Sequence, residues 1–278
     1  MNDLAGILEF YRDAGVDTPL DDHPVNRLAL PEPAALESSA AKVGRPPEQR
    51  PGSSATPFEQ RDLSSHSLNG DNLPALIAEA TEIARQADSI ETLQEALIRW
   101  NGIDLANTIP TMVFGSGPAR SELFILADCP ERQDVSGEQL WSGPGGRMVD
   151  MMLAAIGRSR SDTRIAASCP WRPPGDIPTE EQQSLLRPFL LRQIALCQPE
   201  VVLTFGQTAL KSVTGQQSNF LKERGRWHNL DLPSNDGAIG STAIRPTFHP
   251  HYLMKNPAQK RLTWSDLLAV KARLAENS

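Results

Sequence analysis

From about residue 112 onward, short apolar runs alternate with longer amphipathic segments, and this alternation limits the fold more than any other feature of the chain. The apolar runs predict buried strands over residues 121–127, 164–169 and 201–205. The longer segments predict helices over residues 148–156, 180–196 and 258–274. Alternating strands and helices are typical of a parallel sheet that is covered on both faces. We therefore predict a three-layer α/β/α fold with a central, mostly parallel four-stranded sheet.

The N-terminal third differs from the rest in composition and charge. Residues 1–16 predict a short amphipathic helix, and residues 17–70 form a Pro- and Ser-rich stretch that predicts a disordered linker. The first 111 residues carry 18 acidic and eight basic side chains, whereas the remainder carries 16 and 19. We expect one domain over residues 71–278, in which residues 73–99 begin with two helices and Ser89 caps the second. The mildly basic charge of this domain is compatible with a nucleic-acid partner.

Several classes of protein are disfavoured by what the sequence lacks. Three cysteines, Cys129, Cys169 and Cys197, include no CxxC pair, which argues against a disulfide framework and against a metal site. The sequence contains no GxGxxG fingerprint of a dinucleotide-binding fold and no GxSxG nucleophile elbow. No apolar run reaches the roughly 18 residues of a membrane span. These features predict a cytoplasmic protein that does not associate with membranes.

A further short apolar run over residues 243–248 leads into a histidine loop, in the segment TFHPHYLMKNP over residues 247–257. Pro250 fixes its own φ and disfavours the helical region for His249, so the imidazole lies on a well-determined turn. In parallel sheets, ligands bind at the carboxyl ends of the strands. Those ends hold Asp128, the segment after Cys169, Gly206 and His249, which we expect to converge. The alternative is that His249 only caps the next helix.

Two further blocks carry side chains that are candidates for a site. In the first, Asp128 follows a buried strand, and Trp141 lies beside the glycine cluster SGPGG. Asp128 could place a ligand or simply bond to the turn, and Trp141 could stack on a ligand or belong to the core. The second block, CPWRPPGDIPTEE over residues 169–181, predicts a stiff loop in which Thr179 caps the following helix.

The order of these motifs resembles family 4 of the uracil-DNA glycosylase superfamily. The resemblance runs from about residue 113 to the C-terminus, through the acid after the first strand, the aromatic–glycine segment, RPPG, PTEE, RPFL, PEVVLTFG, RGRWH and HPHYL. It implies DNA as the partner, a flipped base as the substrate and a monomeric protein that acts at the bacterial nucleoid.

The resemblance also implies roles for individual residues. Asp128 stands at the acidic position that lines the base pocket, and His249 stands at the histidine that stabilises charge on the departing uracil. Trp141 takes the place of a phenylalanine that stacks on the base. The pocket loses family residues at neighbouring positions, which hold Ala127 and Cys129 beside Asp128, and Ala167 and Ser168 where an asparagine reads the uracil edge.

Family 4 enzymes often hold a [4Fe–4S] cluster on four cysteines. The corresponding positions fall at Trp171, at Leu186 and near residues 100–103, and none of them is cysteine. The resemblance therefore implies that this chain has no iron–sulfur cluster. We expect apolar residues, two of them tryptophan, to fill that volume.

Basic residues near the histidine loop are the predicted DNA contacts. They are Lys222, Arg224, Arg226, Lys255, Lys260 and Arg261. Met254 could be the wedge that fills the vacated stack, or a buried methionine at a helix entry.

These expectations favour a DNA glycosylase of base excision repair that flips uracil or another deaminated base and hydrolyses its N-glycosidic bond. The loss of an asparagine at Ala167 keeps a second hypothesis open, namely a degenerate member that binds DNA without turnover.

Overall fold

The computed structural model describes residues 72–105, 111–137, 139–233 and 239–276, all of which lie in one compact unit. The predicted helix over residues 1–16 and the predicted linker over residues 17–70 lie outside the described residues.

The centre of the molecule is a mixed six-stranded sheet with the order β1-β3-β2-β4-β6-β5. The strands are β1 (Gly115–Ser116), β2 (Leu123–Ala127), β3 (Thr163–Ala167), β4 (Val201–Phe205), β5 (His228–Pro233) and β6 (Ile239–Thr247). Strands β3, β2, β4 and β6 run parallel, which confirms the predicted parallel core of four strands.

The two antiparallel edge strands correct the predicted strand number from four to six. Strand β1 has only two residues, too few for a periodic signal. In β5, Leu230 and Leu232 are buried while Asn229 and Asp231 are exposed, so only one face of this edge strand is covered. A continuous apolar run indicates a strand that is buried on both faces. The sequence therefore predicted the central strands and not this half-polar one.

Nine α-helices lie wholly among the described residues, together with two 3-10 turns at Pro174–Asp176 and Pro257–Gln259. The α-helices are α1 (Leu73–Gln86), α2 (Ile90–Arg99), α3 (Arg132–Gly137), α4 (Pro144–Ala155), α5 (Glu180–Cys197), α6 (Gly206–Thr214), α7 (Phe220–Glu223), α8 (Pro250–Lys255) and α9 (Lys260–Glu276). The predicted capping at Ser89 is confirmed, because its Oγ accepts from the Thr92 N–H at 3.1 Å. None of the described helices is long and apolar enough to span a membrane.

Strand β2 is buried on both faces, which confirms the three-layer arrangement. Leu123, Ile125 and Ala127 point into a core that α9 closes with Leu267, Val270 and Leu274. Phe124 and Leu126 point into the opposite core, which α5 closes with Leu190, Ile194 and Cys197. The sheet is therefore held rigidly from both sides, and its carboxyl ends provide a fixed platform for side chains.

Candidate active site

Asp128 lies directly after β2, and its backbone is fastened to the end of the neighbouring strand β3. The Asp128 carbonyl accepts hydrogen bonds from Cys169 N–H at 2.9 Å and from Ser168 Oγ at 2.8 Å. Its own Oδ1 accepts from Cys129 N–H at 2.9 Å. These bonds hold the carboxylate in one direction, while 32% of the side chain stays exposed.

His249 follows β6 and is the N-cap of α8, which confirms that it caps the helix but does not test whether capping is its only role. Its Nδ1 accepts from His251 N–H at 3.2 Å. Because Nδ1 is an acceptor, the neutral imidazole carries its proton on Nε2. Nε2 lies 3.6 Å from Asp128 Oδ1, so the cap also directs an N–H toward the carboxylate.

The environment of Asp128 keeps its carboxyl ionised. Burial alone would raise the pKa of Asp128, but the nearby His249 side chain and the Cys129 N–H together outweigh burial. The pKa of Asp128 therefore lies below its ordinary value of 3.8. At neutral pH this site contains a carboxylate.

Asp128 and His249 line a cavity of 360 Å³ at the carboxyl ends of the parallel strands, which we name the strand-end pocket. Its other lining residues are Cys129, Pro130, Glu131, Arg132, Arg172, Asp176 and His251. Two further contacts between acidic and basic side chains lie in this pocket. Glu131 contacts His251, and Arg172 forms a salt bridge with Asp176 at 2.6 Å. The sequence analysis missed Glu131 and His251, although each lies within three residues of a predicted site residue.

Trp141 lies behind His249 in the core. Its ring packs edge-on against Phe205, with centroids 5.1 Å apart, and lies 6.5 Å from the His249 ring. Its backbone has a φ of +56°, and Arg160 donates to its carbonyl at 2.9 Å. A Cβ on Gly146 would lie 1.6 Å from that carbonyl oxygen, so only glycine fits there. Because 3% of Trp141 is exposed, its stacking on a base stays a prediction.

The remaining predicted pocket residues are buried, and they either pack in the core or donate hydrogen bonds to backbone carbonyls. Ala127 and Ala167 end paired strands and share the core with Trp141. Ser168 donates its hydroxyl hydrogen to the Asp128 carbonyl, and Cys129 Sγ donates to the Asp176 carbonyl at 3.2 Å. No polar side chain at the end of β3 is therefore free to face a base in this part of the structure.

The positions that correspond to iron–sulfur ligands come together in one buried apolar cluster. We name it the tryptophan cluster, and it consists of Trp100, Ile103, Trp171, Leu186 and Phe189. The Trp100 and Phe189 rings lie 5.4 Å apart. These side chains supply no thiolate, so they do not fit a four-cysteine cluster.

The cysteines nearest to the tryptophan cluster are not poised as ligands either. Burial raises the pKa of the Cys169 thiol to about 12 and also raises the pKa of Cys129. A metal ligand must be a thiolate, which these environments disfavour. Across the described ranges, no group of three or more His, Cys, Asp or Glu side chains could hold a metal ion.

The predicted DNA contacts divide into exposed residues and one buried residue. Lys222, Arg226, Met254, Lys255, Lys260 and Arg261 are exposed. The exposure of Met254, at 42%, excludes the interpretation as a buried methionine. Arg224 is instead bound internally: it donates to Asp266 Oδ2 at 2.8 Å and lies 5.3 Å above the Phe248 ring. Since Arg224 keeps 17% of its side chain exposed, its expected role at phosphates stays a prediction, whereas Arg132 at the pocket rim is an exposed cation that was not predicted.

Comparison with known proteins identifies the group to which this fold and pocket belong. The family model of the uracil DNA glycosylase superfamily matches residues 114–268. The chain belongs to the uracil DNA glycosylase superfamily. The match contains Asp128, Trp141 and His249 and leaves out helices α1 and α2.

Individual type-4 uracil-DNA glycosylases are similar to this chain over most of their own length. The type-4 uracil-DNA glycosylase of Thermotoga maritima is 28% identical over 188 residues, which cover 66% of this chain and 93% of that protein. The enzyme of the same name from Saccharolobus solfataricus is 25% identical over 61% of this chain and 77% of its own length. A third, from Sulfurisphaera tokodaii, is 23% identical over 66% of this chain and 84% of its own. The resemblance to family 4 is thereby confirmed.

Proposed function

We propose that this protein is a DNA glycosylase that hydrolyses the N-glycosidic bond of uracil, or of another deaminated base, in base excision repair. The observation that carries the proposal is the pairing of Asp128 with His249 in the strand-end pocket, 3.6 Å apart. The names of the type-4 relatives support uracil in DNA as the substrate. An ionised carboxylate beside a directed imidazole N–H matches the charges that develop when a base leaves a sugar.

The proposed reaction divides the work between these two side chains. As the bond between C1′ and the base nitrogen breaks, its electron pair leaves with the base, and His249 Nε2–H donates to the base oxygen on which negative charge develops. The Asp128 carboxylate stabilises positive charge on the sugar and accepts a proton from the water that attacks C1′. The new bond joins the water oxygen to C1′, and the proton that Asp128 took from the water is passed through solvent to the base anion, so the products are an abasic site and the free base.

DNA is the proposed partner, and the base must leave the duplex to reach the pocket. Exposed cations surround the approach, including Arg132 at the rim and Lys255 on α8. Such side chains neutralise phosphates and position the strand without reading sequence. Met254, exposed beside Lys255, is a suitable wedge for the gap that the flipped base leaves.

We also propose that the protein works without an iron–sulfur cluster and that residues 71–278 form the catalytic domain. The apolar packing of the tryptophan cluster supports the first point. The second is supported by the presence of Asp128 and His249 within a single compact unit. The monomeric state and the cytoplasmic, nucleoid-associated location stay predictions.

A second candidate function is DNA binding without turnover. The observation that favours it is Trp141, whose ring lies 3% exposed against Phe205 and offers a base no open face. In this case the superfamily fold and the basic surface would remain, while the pocket would not accept a base.

The two candidates are separated by incubating a labelled single-uracil oligonucleotide with the protein and then treating it with alkali. The glycosylase proposal expects strand scission by wild type and its suppression in Asp128→Ala and His249→Ala. Asp231→Ala, at an exposed position of β5, is a matched control that should cleave normally. Binding of the oligonucleotide without scission, on uracil, hypoxanthine and xanthine substrates alike, would contradict the glycosylase proposal and support the second candidate.

A further inference from the structure

A second acid–imidazole pair lies beside Asp128 and His249 in the strand-end pocket. Glu131, in the loop after β2, directly contacts His251 Nε2 through Oε1, and His251 belongs to the first turn of α8. The His249 and His251 rings lie 5.4 Å apart. The Glu131 side chain is 28% exposed and that of His251 is 40% exposed, whereas the His251 Nε2 atom is itself buried and forms no hydrogen bond of regular geometry.

The surroundings hold this pair in place without blocking it. Gln133 Nε2 donates to Glu131 Oε2 at 3.2 Å, which orients the carboxylate. Gly145 leaves room for the imidazole, because a Cβ there would lie 2.8 Å from His251 Nε2. The His251 backbone N–H donates to Nδ1 of His249, the N-cap of α8, so the position of α8 fixes both histidines together.

Other polar groups of the pocket are already occupied. Asp128 and His249 face each other, and Arg172 is paired with Asp176 at 2.6 Å. At the end of β3, Ala167 has no polar side-chain atom and the hydroxyl hydrogen of Ser168 is committed to the Asp128 carbonyl. Since Asp128 and His249 carry the proposed reaction, Glu131 and His251 are the neighbouring acceptor and donor that are left to bond to the edge of a base.

The chemistry of the pair defines which edge it would bind. An ionised carboxylate only accepts hydrogen bonds, and an imidazole N–H donates one. Their complement is a ring N–H next to a carbonyl, which is the lactam edge that deamination creates when cytosine becomes uracil or adenine becomes hypoxanthine. Cytosine and adenine present a ring-nitrogen lone pair at the same place, which a carboxylate repels. A pocket that bonds to one edge rejects the other strongly, because its own polar groups would be left unpaired.

We propose that Glu131 and His251 read the lactam edge of the flipped base, with Glu131 accepting from the ring N–H and His251 donating to the adjacent carbonyl. This inference rests on the proposed glycosylase function and adds the specificity-determining residues for deaminated bases. In the complex, the edge of the base replaces the direct contact between the two side chains. Each residue then has a partner of opposite hydrogen-bonding character.

The experiment removes one hydrogen-bonding group from the protein and its partner from the base, in all four combinations. Wild type and Glu131→Ala are each given single-stranded oligonucleotides that contain uracil or 3-methyluracil, which lacks the ring N–H. Single strands remove any contribution from base pairing, and kcat/KM is measured for each combination. We expect wild type to prefer uracil by roughly 10- to 100-fold, the range of a charge-assisted hydrogen bond. Glu131→Ala should lose most of this preference by slowing on uracil alone.

His251 is tested in the same way with 4-thiouracil, an analogue that keeps the ring N–H but replaces the 4-oxo oxygen with sulfur, a weaker acceptor. His251→Ala should lose the preference for uracil over the analogue, and His251→Gln, which retains a donor, should recover part of it. Glu95→Ala, at an exposed position of α2, is the matched control and should keep both preferences.

Each outcome of this experiment decides one question. If both substrates slow by the same factor in Glu131→Ala and in His251→Ala, the two residues are merely structural and the inference is wrong, while the glycosylase function stands. If wild type releases neither uracil nor its analogues, the proposed function fails and the inference fails with it. Loss of preference in the variants, with DNA binding retained, supports both.

Discussion

The tryptophan cluster and the strand-end pocket lie near each other in the same chain, but the first consists of apolar side chains and the second is lined largely by charged and polar ones. In the cluster, Trp171 is 1% exposed and its neighbours are apolar, so shape and volume alone determine the packing. In the pocket, Asp128 and His249 keep 32% and 22% of their side chains exposed and contact each other through polar atoms. The tryptophan cluster stabilises the folded protein through apolar packing, whereas the strand-end pocket presents charged side chains that a ligand can contact.

The comparison teaches how a superfamily member can change at two sites in different ways. Where the resemblance expects cysteines that hold a cluster, large apolar side chains fill the volume and the fold persists. Where it expects a base pocket, the acid and the histidine remain, and Glu131 and His251 lie beside them. Apolar packing can fill the volume of missing cysteine ligands, but loss of a hydrogen-bonding group needs another donor or acceptor.

The largest effect is expected from truncation of the tryptophan cluster. Trp171→Ala should lower the free energy of unfolding by about 3–5 kcal/mol, because it leaves a cavity in a fully buried site. Denaturant unfolding measures this loss, and Trp264→Ala, 44% exposed on α9, is the matched control. A loss no greater than that of the control would mean that the cluster is not a stabilising core.

Substitution of His249 in the strand-end pocket should change the reaction rate more than the stability of the protein. His249→Asn keeps a good N-cap for α8 but removes the imidazole, so uracil excision should slow by about 10²- to 10³-fold. Thermal unfolding and single-turnover kinetics on the same preparation measure both quantities. An unstable variant with a normal rate would reverse the assignment and leave His249 as a cap only.

Substitution of the two arginines near α7 should change two different properties, the stability of the protein and its binding to DNA. Arg224→Ala breaks the pair with buried Asp266 and should lower the free energy of unfolding by about 1–3 kcal/mol. Arg226→Ala, at an exposed position, should leave stability unchanged and reduce the salt dependence of DNA binding by about 0.9 in the log–log slope. Denaturant unfolding and binding titrations at several salt concentrations measure the two effects. Equal stability of the two variants would contradict the structural role of Arg224.

The smallest effect is the dependence of stability on Asp128 ionisation. Since the folded-state pKa of Asp128 lies below its ordinary 3.8, the ionised carboxyl stabilises the protein above pH 3.8. This contribution should decrease as the pH falls below 3.8 toward the folded-state pKa. Unfolding of wild type and Asp128→Asn across this range should therefore show a difference in stability that shrinks at low pH. A difference that is constant or grows on acidification would contradict the lowered pKa.

The sequence predicted the parallel core of the fold better than its edges. Strands β2 and β4 are continuous apolar runs because both of their faces are buried, and such runs are visible without a structure. The half-polar edge strand β5 gives no such run, and β1 is too short to give any. Ser89 was predictable because a cap is a local interaction.

The sequence predicted which strand ends carry residues of the candidate site, but it did not predict which of their side chains are in contact. Asp128 and His249 could be placed at one edge of the sheet, but the 3.6 Å contact between them depends on the order of β2, β4 and β6. The contact of Glu131 with His251 depends in addition on the direction of α8. Likewise, the burial of Arg224 follows from Asp266 on α9, which lies 42 residues away in the sequence.

The most direct test of the account is the single-turnover release of free uracil from DNA by wild type, Asp128→Asn, His249→Asn and the double variant. Because the two side chains act in the same bond-breaking step, His249 on the departing base and Asp128 on the sugar, we expect wild type to release uracil and each single variant to be slower. The double variant should lose little more than the slower single variant. Absence of uracil release by a wild-type protein that still binds the DNA would contradict the central claim that Asp128 and His249 form a hydrolytic centre.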